Sequence, residues 1–233
     1  MSETRQVIVQ ATNVKKTYHD NGVPVHAVRG ISLTIYQGDF LVIAGPSGSG
    51  KTTLLNMLGA LDPPTEGEVI FEGEPLYTKT RKQLADLRLE KIGFVFQAYN
   101  LIPVLSALEN VEFPMMLKGI PEKDRRQRAQ AILTDLGIGD LAHKRPNEMS
   151  GGQQQRVAVA RAIGNNPTVV LADEPTANLD SVTGNALLDL MERMNREKHI
   201  TFVFSSHDPK VIQRARRLVR LRDGVIVEEE VQK

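Results

Sequence analysis

The sequence predicts an α/β domain, built as a parallel-sheet core with an antiparallel β part on its N-terminal side and a helical subdomain inserted in the middle. Three observations carry this. Phe40-Leu41-Val42-Ile43-Ala44 is an unbroken apolar run of strand length that leads directly into a glycine-rich loop and a helix-like segment, as strands buried on both faces do. From Thr168 onward, strand-like and helix-like segments alternate, the mark of βα units. Between roughly 97 and 160 the pattern is mainly helical, so the core is expected in two pieces, 1–96 and 161–233, around an insert of 97–160.

Taken in order, Val7–Val9 alternates weakly, Ile31–Ile35 alternates cleanly, and Gln37-Gly38-Asp39 reads as a turn. After the glycine loop a helix is expected from Lys51 to about Ala60, stopped by Asp62-Pro63-Pro64. Ile92–Phe96 reads as a strand. A helix is expected over Pro121–Leu136, with proline at its start, Ala129, Ile132, Leu133 and Leu136 on one stripe, and Gly137 as its stop. A second runs from Gln153 to Ile163. Then follow a strand (Thr168–Ala172), a helix (Gly184–Arg196) and a strand (Thr201–Ser205). Val219–Leu221 and Val225–Val227 flank Arg222-Asp223-Gly224 as a hairpin.

Composition narrows the function classes. A formal net charge of +1 over 233 residues provides no electrostatic footing for a large nucleic-acid face. The chain has no cysteine, so thiolate metal sites and disulfides are excluded. The N-terminal Met1–Gln6 is polar and lacks the apolar core of a signal peptide, and no apolar run approaches the ~18–20 residues of a membrane span.

Gly45-Pro46-Ser47-Gly48-Ser49-Gly50-Lys51-Thr52 fits G-x-x-x-x-G-K-[ST] between a strand and a helix, the context a phosphate-binding loop requires. Glycines let the backbone wrap a phosphate without Cβ clashes, so that amides point inward. The helix adds its positive end, Lys51 reaches the β/γ-phosphates, and the Thr52 hydroxyl can ligate Mg²⁺; Thr53 completes the candidate set. Val169–Ala172 ends in Asp173-Glu174. Because alternate strand residues face opposite ways, the two carboxylates are expected to have different tasks. Asp173 is the metal-side candidate, and Glu174 the general base that polarises water. Ser150-Gly151-Gly152-Gln153 opens another helix and is a second possible anion site. One economical arrangement closes it on a partner copy's nucleotide in a two-fold dimer, while the tetrapeptide alone equally fits an ordinary serine cap.

Met149-Ser150-Gly151-Gly152-Gln153 resembles the signature Leu-Ser-Gly-Gly-Gln of the ABC ATPases, with Met149 replacing the leucine, and the resemblance extends over essentially the whole chain. It implies a P-loop NTPase (RecA-like) fold. In its register Tyr18 looks like the residue that stacks on adenine, and Gln97 like the glutamine that senses Mg²⁺ and the membrane partner. Ala177-Asn178-Leu179-Asp180 looks like the loop crossing the dimer interface, with Asp180 in the nucleotide set, and His207 like the histidine that contacts the γ-phosphate. The cofactors implied are ATP and Mg²⁺. The partners implied are a second copy of the chain, in an ATP-dependent homodimer, and an integral membrane permease subunit at the inner face of the cell membrane.

The wording of 97–103 and 173–180 is most similar to the group serving lipoprotein release, macrolide-type export and cell-division signalling. The expected function is therefore ATP hydrolysis driving export or lipoprotein release, the alternative being a regulatory role in cell division without transport. Chromosome ATPases of the superfamily carry long coiled-coil insertions that do not fit here, and translation-factor relatives carry two cassettes.

Several other features are expected to be structural. Arg125-Arg126-x-Arg128 reads as a solvated helix face interleaved with acids. Met115 and Met116 read as core fillers, and His19, His26, His143 and His199 as surface or packing residues. The apolar loop Asn100–Ser106 fits equally a docking surface for a membrane-subunit helix or a segment tucked into its own core.

Overall fold

In the computed structural model, which describes residues 5–20 and 22–232, the strands divide into two sheets. Met1–Thr4, most of the polar N-terminal stretch, lie outside the described residues. Strands β1 (Val7–Asp20), β2 (Val23–Tyr36), β4 (Glu66–Phe71) and β5 (Glu74–Pro75) form an antiparallel sheet in the order β2-β1-β4-β5. The second sheet holds β3 (Phe40–Ala44), β6 (Ile92–Val95), β7 (Val169–Asp173), β8 (Thr201–Ser206), β9 (Arg217–Arg222) and β10 (Val225–Val231). Its order is β10-β9-β3-β8-β7-β6, parallel except for the terminal β9–β10 hairpin. That hairpin turns on Asp223 and Gly224, both left-handed at φ 49° and 78°, as a two-residue turn of this type demands.

The central strands lie between two cores, which is why they read as continuous apolar runs. Along β3, Phe40, Val42 and Ala44 enter one core while Leu41 and Ile43 enter the other. β7 divides in the same way, Val170 and Ala172 against Val169 and Leu171, and so does β8, Phe202 and Phe204 against Val203. One core packs the sheet against helices α3 (Ala107–Leu117), α4 (Glu122–Asp135), α5 (Gly151–Ile163) and α6 (Ser181–Lys198). The other places α1 (Lys51–Leu58), through Leu54, Leu55, Met57 and Leu58, between the two sheets. Helices α2 (Arg81–Lys91) and α7 (Pro209–Gln213) complete the chain. Among the described residues no helix is long and apolar enough to cross a membrane.

Differences from the sequence expectations have local causes. β1 runs far beyond Val9, but its pairing with β2 shifts register between Ala11 and Val14 around Asn13 at φ 48°, and such a bulge interrupts alternation. α6 starts at Ser181 rather than Gly184 because Asp180 caps it, accepting from the Val182 amide at 2.9 Å and the Thr183 amide at 3.0 Å. α2 has no fully buried residue, and α3 is apolar on most sides and contains Pro114; neither displays a stripe. Both begin in capping boxes, Thr80 with Gln83 and Ser106 with Glu109. α5 runs unbroken through residue 160 to Ile163.

Two structural readings need correction. Met115 is buried, but the next residue of α3, Met116, is 46% exposed. The arginines of α4 are not simply a solvated face: Arg125 reaches inward to Glu112 of α3, with Nε 3.5 Å from Oε1. The four unassigned histidines are all exposed. The 100–106 loop divides between its two readings. Leu101 packs on the core and Val104 is 72% exposed, while buried Asn110 gathers the loop by accepting from the Ile102 amide and donating to the Ile102, Leu105 and Ser106 carbonyls.

Glu112 is buried, and desolvation raises its pKa above the ordinary 4.5 in spite of nearby Arg126 and Arg125. A carboxyl raised in the fold holds its proton more tightly than the unfolded chain does. Its stabilising effect is therefore fully present at acid pH and is lost as pH rises through its folded value. The melting temperature of Glu112→Gln minus that of the parent is accordingly expected to become more positive from pH 4.5 upward. A difference that is flat across that range, measured by thermal unfolding, would contradict this.

Candidate active site

The carboxyl ends of β3, β7 and β8 meet the start of α1, where parallel sheets place their chemistry. The 45–52 loop closes through two contacts that forbid larger residues. A Cβ on Gly45 would stand 2.3 Å from the Leu221 carbonyl oxygen, and one on Gly50, at φ 97°, would stand 2.4 Å from that of Ala27. Gly50 is the N-cap of α1 and offers no side-chain cap, so the first amides of the helix remain available as donors. Lys51 is buried and donates to the carbonyls of Gly45 at 2.8 Å and Pro46 at 3.0 Å, which holds its ammonium inside the loop. The Ser49 hydroxyl is buried without a hydrogen-bond partner among the described residues.

Asp173 and Glu174 engage different groups, as expected, although alternation along a strand is not the cause. β7 ends at Asp173, and Glu174 turns out of it at φ 44° with its amide donating to the Ser205 carbonyl at 2.9 Å. Asp173 lies beside the P-loop threonine: Thr52 Oγ1 donates to it at 3.0 and 3.1 Å, and Ser205 Oγ also donates to it. Glu174 Oε1 is 2.7 Å from His207 Nδ1, its Oε2 accepts from Ser206 Oγ at 3.0 Å, and Lys51 Nζ lies 4.0 Å away. The His207 ring is 64% exposed at the mouth of the site.

These groups border an open cleft of about 540 Å³ lined by Tyr18, Ala27, Ser47, Gly48, Gly50, Lys51, Thr52, Thr53, Gln97, Glu174 and His207. The structure thus gathers Tyr18, Gln97 and His207 at the phosphate loop from three separate segments. Tyr18 is held by its hydroxyl, which donates to Asp62 Oδ2 at 2.7 Å, and Lys16 Nζ lies 5.2 Å from its ring centroid. Burial, followed by the bond to Asp62, pushes the phenol pKa upward.

The remaining candidates lie elsewhere. Ser150, Gly151, Gly152 and Gln153 do not line this cleft. They form the first turn of α5, where Ser150 Oγ accepts from the Gln153 amide and Gln153 Oε1 from the Ser150 amide. Asp180 also lies outside it; its oxygens are committed to Val182 and Thr183, and these bonds, the Thr183 hydroxyl first, depress its pKa.

The residues present fit a magnesium nucleotide. The loop offers uncapped helix amides and a buried ammonium to an anion. Thr52 and Asp173 supply two hard oxygen donors side by side.

Sequence reasoning overlooked several supports. Ser205 and Ser206 hold the two carboxylates, and two consecutive serines closing an apolar strand were a readable signal. Gln155 is fully buried and donates to the carbonyl of Pro175, next to Glu174. Asp62, the anchor of Tyr18, reads in the sequence only as part of a helix stop, since nothing local points to a partner 44 residues away.

Known proteins share this sequence and fold. The sequence pattern of the ABC transporter family matches residues 28–177. An ABC transporter ATP-binding protein of Thermotoga maritima, itself uncharacterized, is 48% identical over 219 residues, covering 94% of this chain and 93% of its own. The lipoprotein-releasing system ATP-binding protein LolD of Syntrophus aciditrophicus is 45% identical over 220 residues, covering 94% and 99%. Among solved structures, the dimeric post-hydrolysis state of the ATP-binding cassette MJ0796, bound to ADP and Pi, superimposes with a TM-score of 0.90 at 43% identity, covering 97% and 99%. A P-loop between β3 and α1, paired strand-end carboxylates and a capped glycine pair opening α5 therefore occur together on one chain, and that chain belongs to the ABC transporter family as one of its ATP-binding, ATP-hydrolysing cassettes.

Proposed function

We propose that this cassette binds Mg-ATP in the cleft above, closes as a homodimer around two nucleotides, and so drives a separate integral membrane subunit in export or in lipoprotein or lipophile release. It would act in the cytoplasm at the inner face of the cell membrane. The observation that carries the hydrolytic part is the convergence of Lys51, Thr52, Asp173, Glu174, Gln97 and His207 on one cleft.

In this reading Gly45–Thr53 and Lys51 cradle the phosphates, and Tyr18 stacks on the adenine. Thr52, Asp173 and Gln97 would hold the magnesium, whose contribution is to neutralise phosphate charge. Glu174, oriented by Ser206 and His207, accepts a proton from the attacking water through its carboxylate. His207, exposed at the mouth, is free to turn toward the γ-phosphate.

The dimer is supported by the position of Ser150–Gln153. This helix start has the chemistry of an anion site yet borders no part of its own chain's cleft, and a two-fold arrangement gives it a nucleotide on the opposite copy. Asp180 and the 177–180 loop would then lie at the seam. The membrane subunit has a suitable seat in an open groove of about 400 Å³ lined by Leu61, Phe94, Phe96, Phe113, Leu117 and neighbours. This groove lies between the sheet and the 97–160 insert, which we take as the helical subdomain, and it adjoins Gln97 through Phe96.

The test is a pull-down with tagged Glu174→Gln from detergent-solubilised native membranes, with and without Mg-ATP, read by mass spectrometry. Recovery of one multi-span protein with a large extracytoplasmic domain is expected. If only soluble or DNA-bound proteins are recovered, the membrane role is wrong and the ATPase alone stands.

A further inference from the structure

The loop that carries Gln97 is held from three sides. Its residues Tyr99 and Asn100 both adopt left-handed backbone angles, φ 59° and 49°, which cost residues with side chains and persist only where neighbours enforce them. The first hold is Arg161, near the C-terminal end of α5. One guanidinium nitrogen donates to the Asn100 carbonyl at 2.5 Å and the other to the Tyr99 carbonyl at 2.8 Å. The second is Asn178, whose Nδ2 donates to the Gln97 carbonyl at 2.9 Å. The third is the Tyr99 hydroxyl, which lies 2.7 Å from where a Cβ on Gly151 would stand, so the bare backbone of the α5 start is what admits it. Arg161 lines the apolar groove together with Phe96 and Asn100, and it lines no part of the nucleotide cleft.

We infer that Arg161 is a positioning residue for ATP hydrolysis, setting the backbone of residues 97–100 so that the Gln97 side chain enters the cleft. This rests on the reading of Gln97 as a magnesium-side residue given above. The residue type follows from the geometry. Two successive carbonyls turned the same way by paired left-handed angles require two donors at fixed spacing. A guanidinium supplies them as a rigid planar fork with fixed spacing, whereas an ammonium offers its three donors from a single nitrogen on a flexible stem and does not set the spacing of the two carbonyls. Because Arg161 belongs to the helix that Ser150–Gln153 opens, the same side chain fixes the spacing between Gln97 and that helix start. Asn178 acts on the other end of the loop, so the two holds bracket Gln97 from α5 and from the loop after Glu174.

The test is steady-state Mg-ATP hydrolysis by Arg161→Lys, Gln97→Ala and the double variant of the full chain. Arg161→Lys, which replaces two fixed donor nitrogens by one mobile nitrogen, is expected to lower kcat about tenfold, with KM for ATP within about twofold of the parent. Gln97→Ala is expected to lower kcat at least as much, and the double variant to be no slower than Gln97→Ala alone. Asn178→Ala is expected to show the same KM-sparing loss, and it replaces Arg161→Lys in the comparison if that variant does not fold. If Arg161→Lys leaves kcat unchanged, or slows the parent and Gln97→Ala by the same factor, Arg161 does not act through Gln97 and the inference is overturned while the reading of Gln97 stands. If Gln97→Ala itself keeps parental kcat, both are overturned.

Discussion

Glu174→Gln is expected to retain ATP binding and to lose turnover by about 10²–10⁴-fold, the range removed with a general base. The substitution preserves size and keeps acceptor capacity toward Ser206, which donates to Oε2 at 3.0 Å, while removing the basicity that a water proton needs. No phosphate-loop residue is altered: Lys51 and Thr52 keep their bonds to Gly45, Pro46 and Asp173. Binding and chemistry should therefore separate cleanly, with KM or nucleotide affinity close to the parent and kcat reduced. Measured phosphate release close to the parent rate would remove Glu174 as the base and leave His207, its neighbour at 2.7 Å, as the next group to examine.

Gly50→Ala is expected to damage both the fold and nucleotide binding. Its Cβ would stand 2.4 Å from the Ala27 carbonyl oxygen, a backbone atom that no side-chain rotation can move, and its φ of 97° is outside the range comfortable for alanine. Left-handed strain and overpacking together cost about 3 kcal/mol, which for a domain of this size is a fall of roughly 6–12 °C in Tm. Because Gly50 is the N-cap of α1, the shift also turns the helix amides away from the anion, and ATP affinity should fall at least about tenfold. Gly38→Ala is the matched control: φ is also left-handed, at 76°, but nothing lies within 4 Å of its added Cβ. It should cost only the conformational strain, about 1 kcal/mol, and leave nucleotide binding intact. Equal losses in the two variants, by thermal unfolding and nucleotide titration, would show that the contact with Ala27 is unimportant.

The sequence was most informative where the chemistry is contiguous. The strand Phe40–Ala44 was legible to the residue, and Gly45–Thr52 with it, because burial on both faces and the steric demands of a phosphate loop act on neighbouring residues. α4 was legible because proline, an apolar stripe and Gly137 mark its start, face and stop. α2 and α3 escaped because one buries no full face and the other buries most of its surface, so neither leaves periodicity to read. The inward turn of Arg125 escaped because its acid, Glu112, belongs to the preceding helix.

By itself, then, the sequence determined the parallel-sheet core, the phosphate loop, the two strand-end carboxylates, the capped glycine pair and the family to which they belong. Each is a local pattern that backbone geometry requires to be written in adjacent residues. Only the tertiary structure decided what those groups touch. The β7–β8 register sets Asp173 opposite Ser205 and lets Ser206 and His207 reach Glu174. Packing of α5 brings Arg161 onto the carbonyls of Tyr99 and Asn100. The course of α5 keeps Ser150–Gln153 off its own chain's cleft. Such pairings join residues tens of positions apart, and sheet order and helix packing select them from many partners of equal local chemistry.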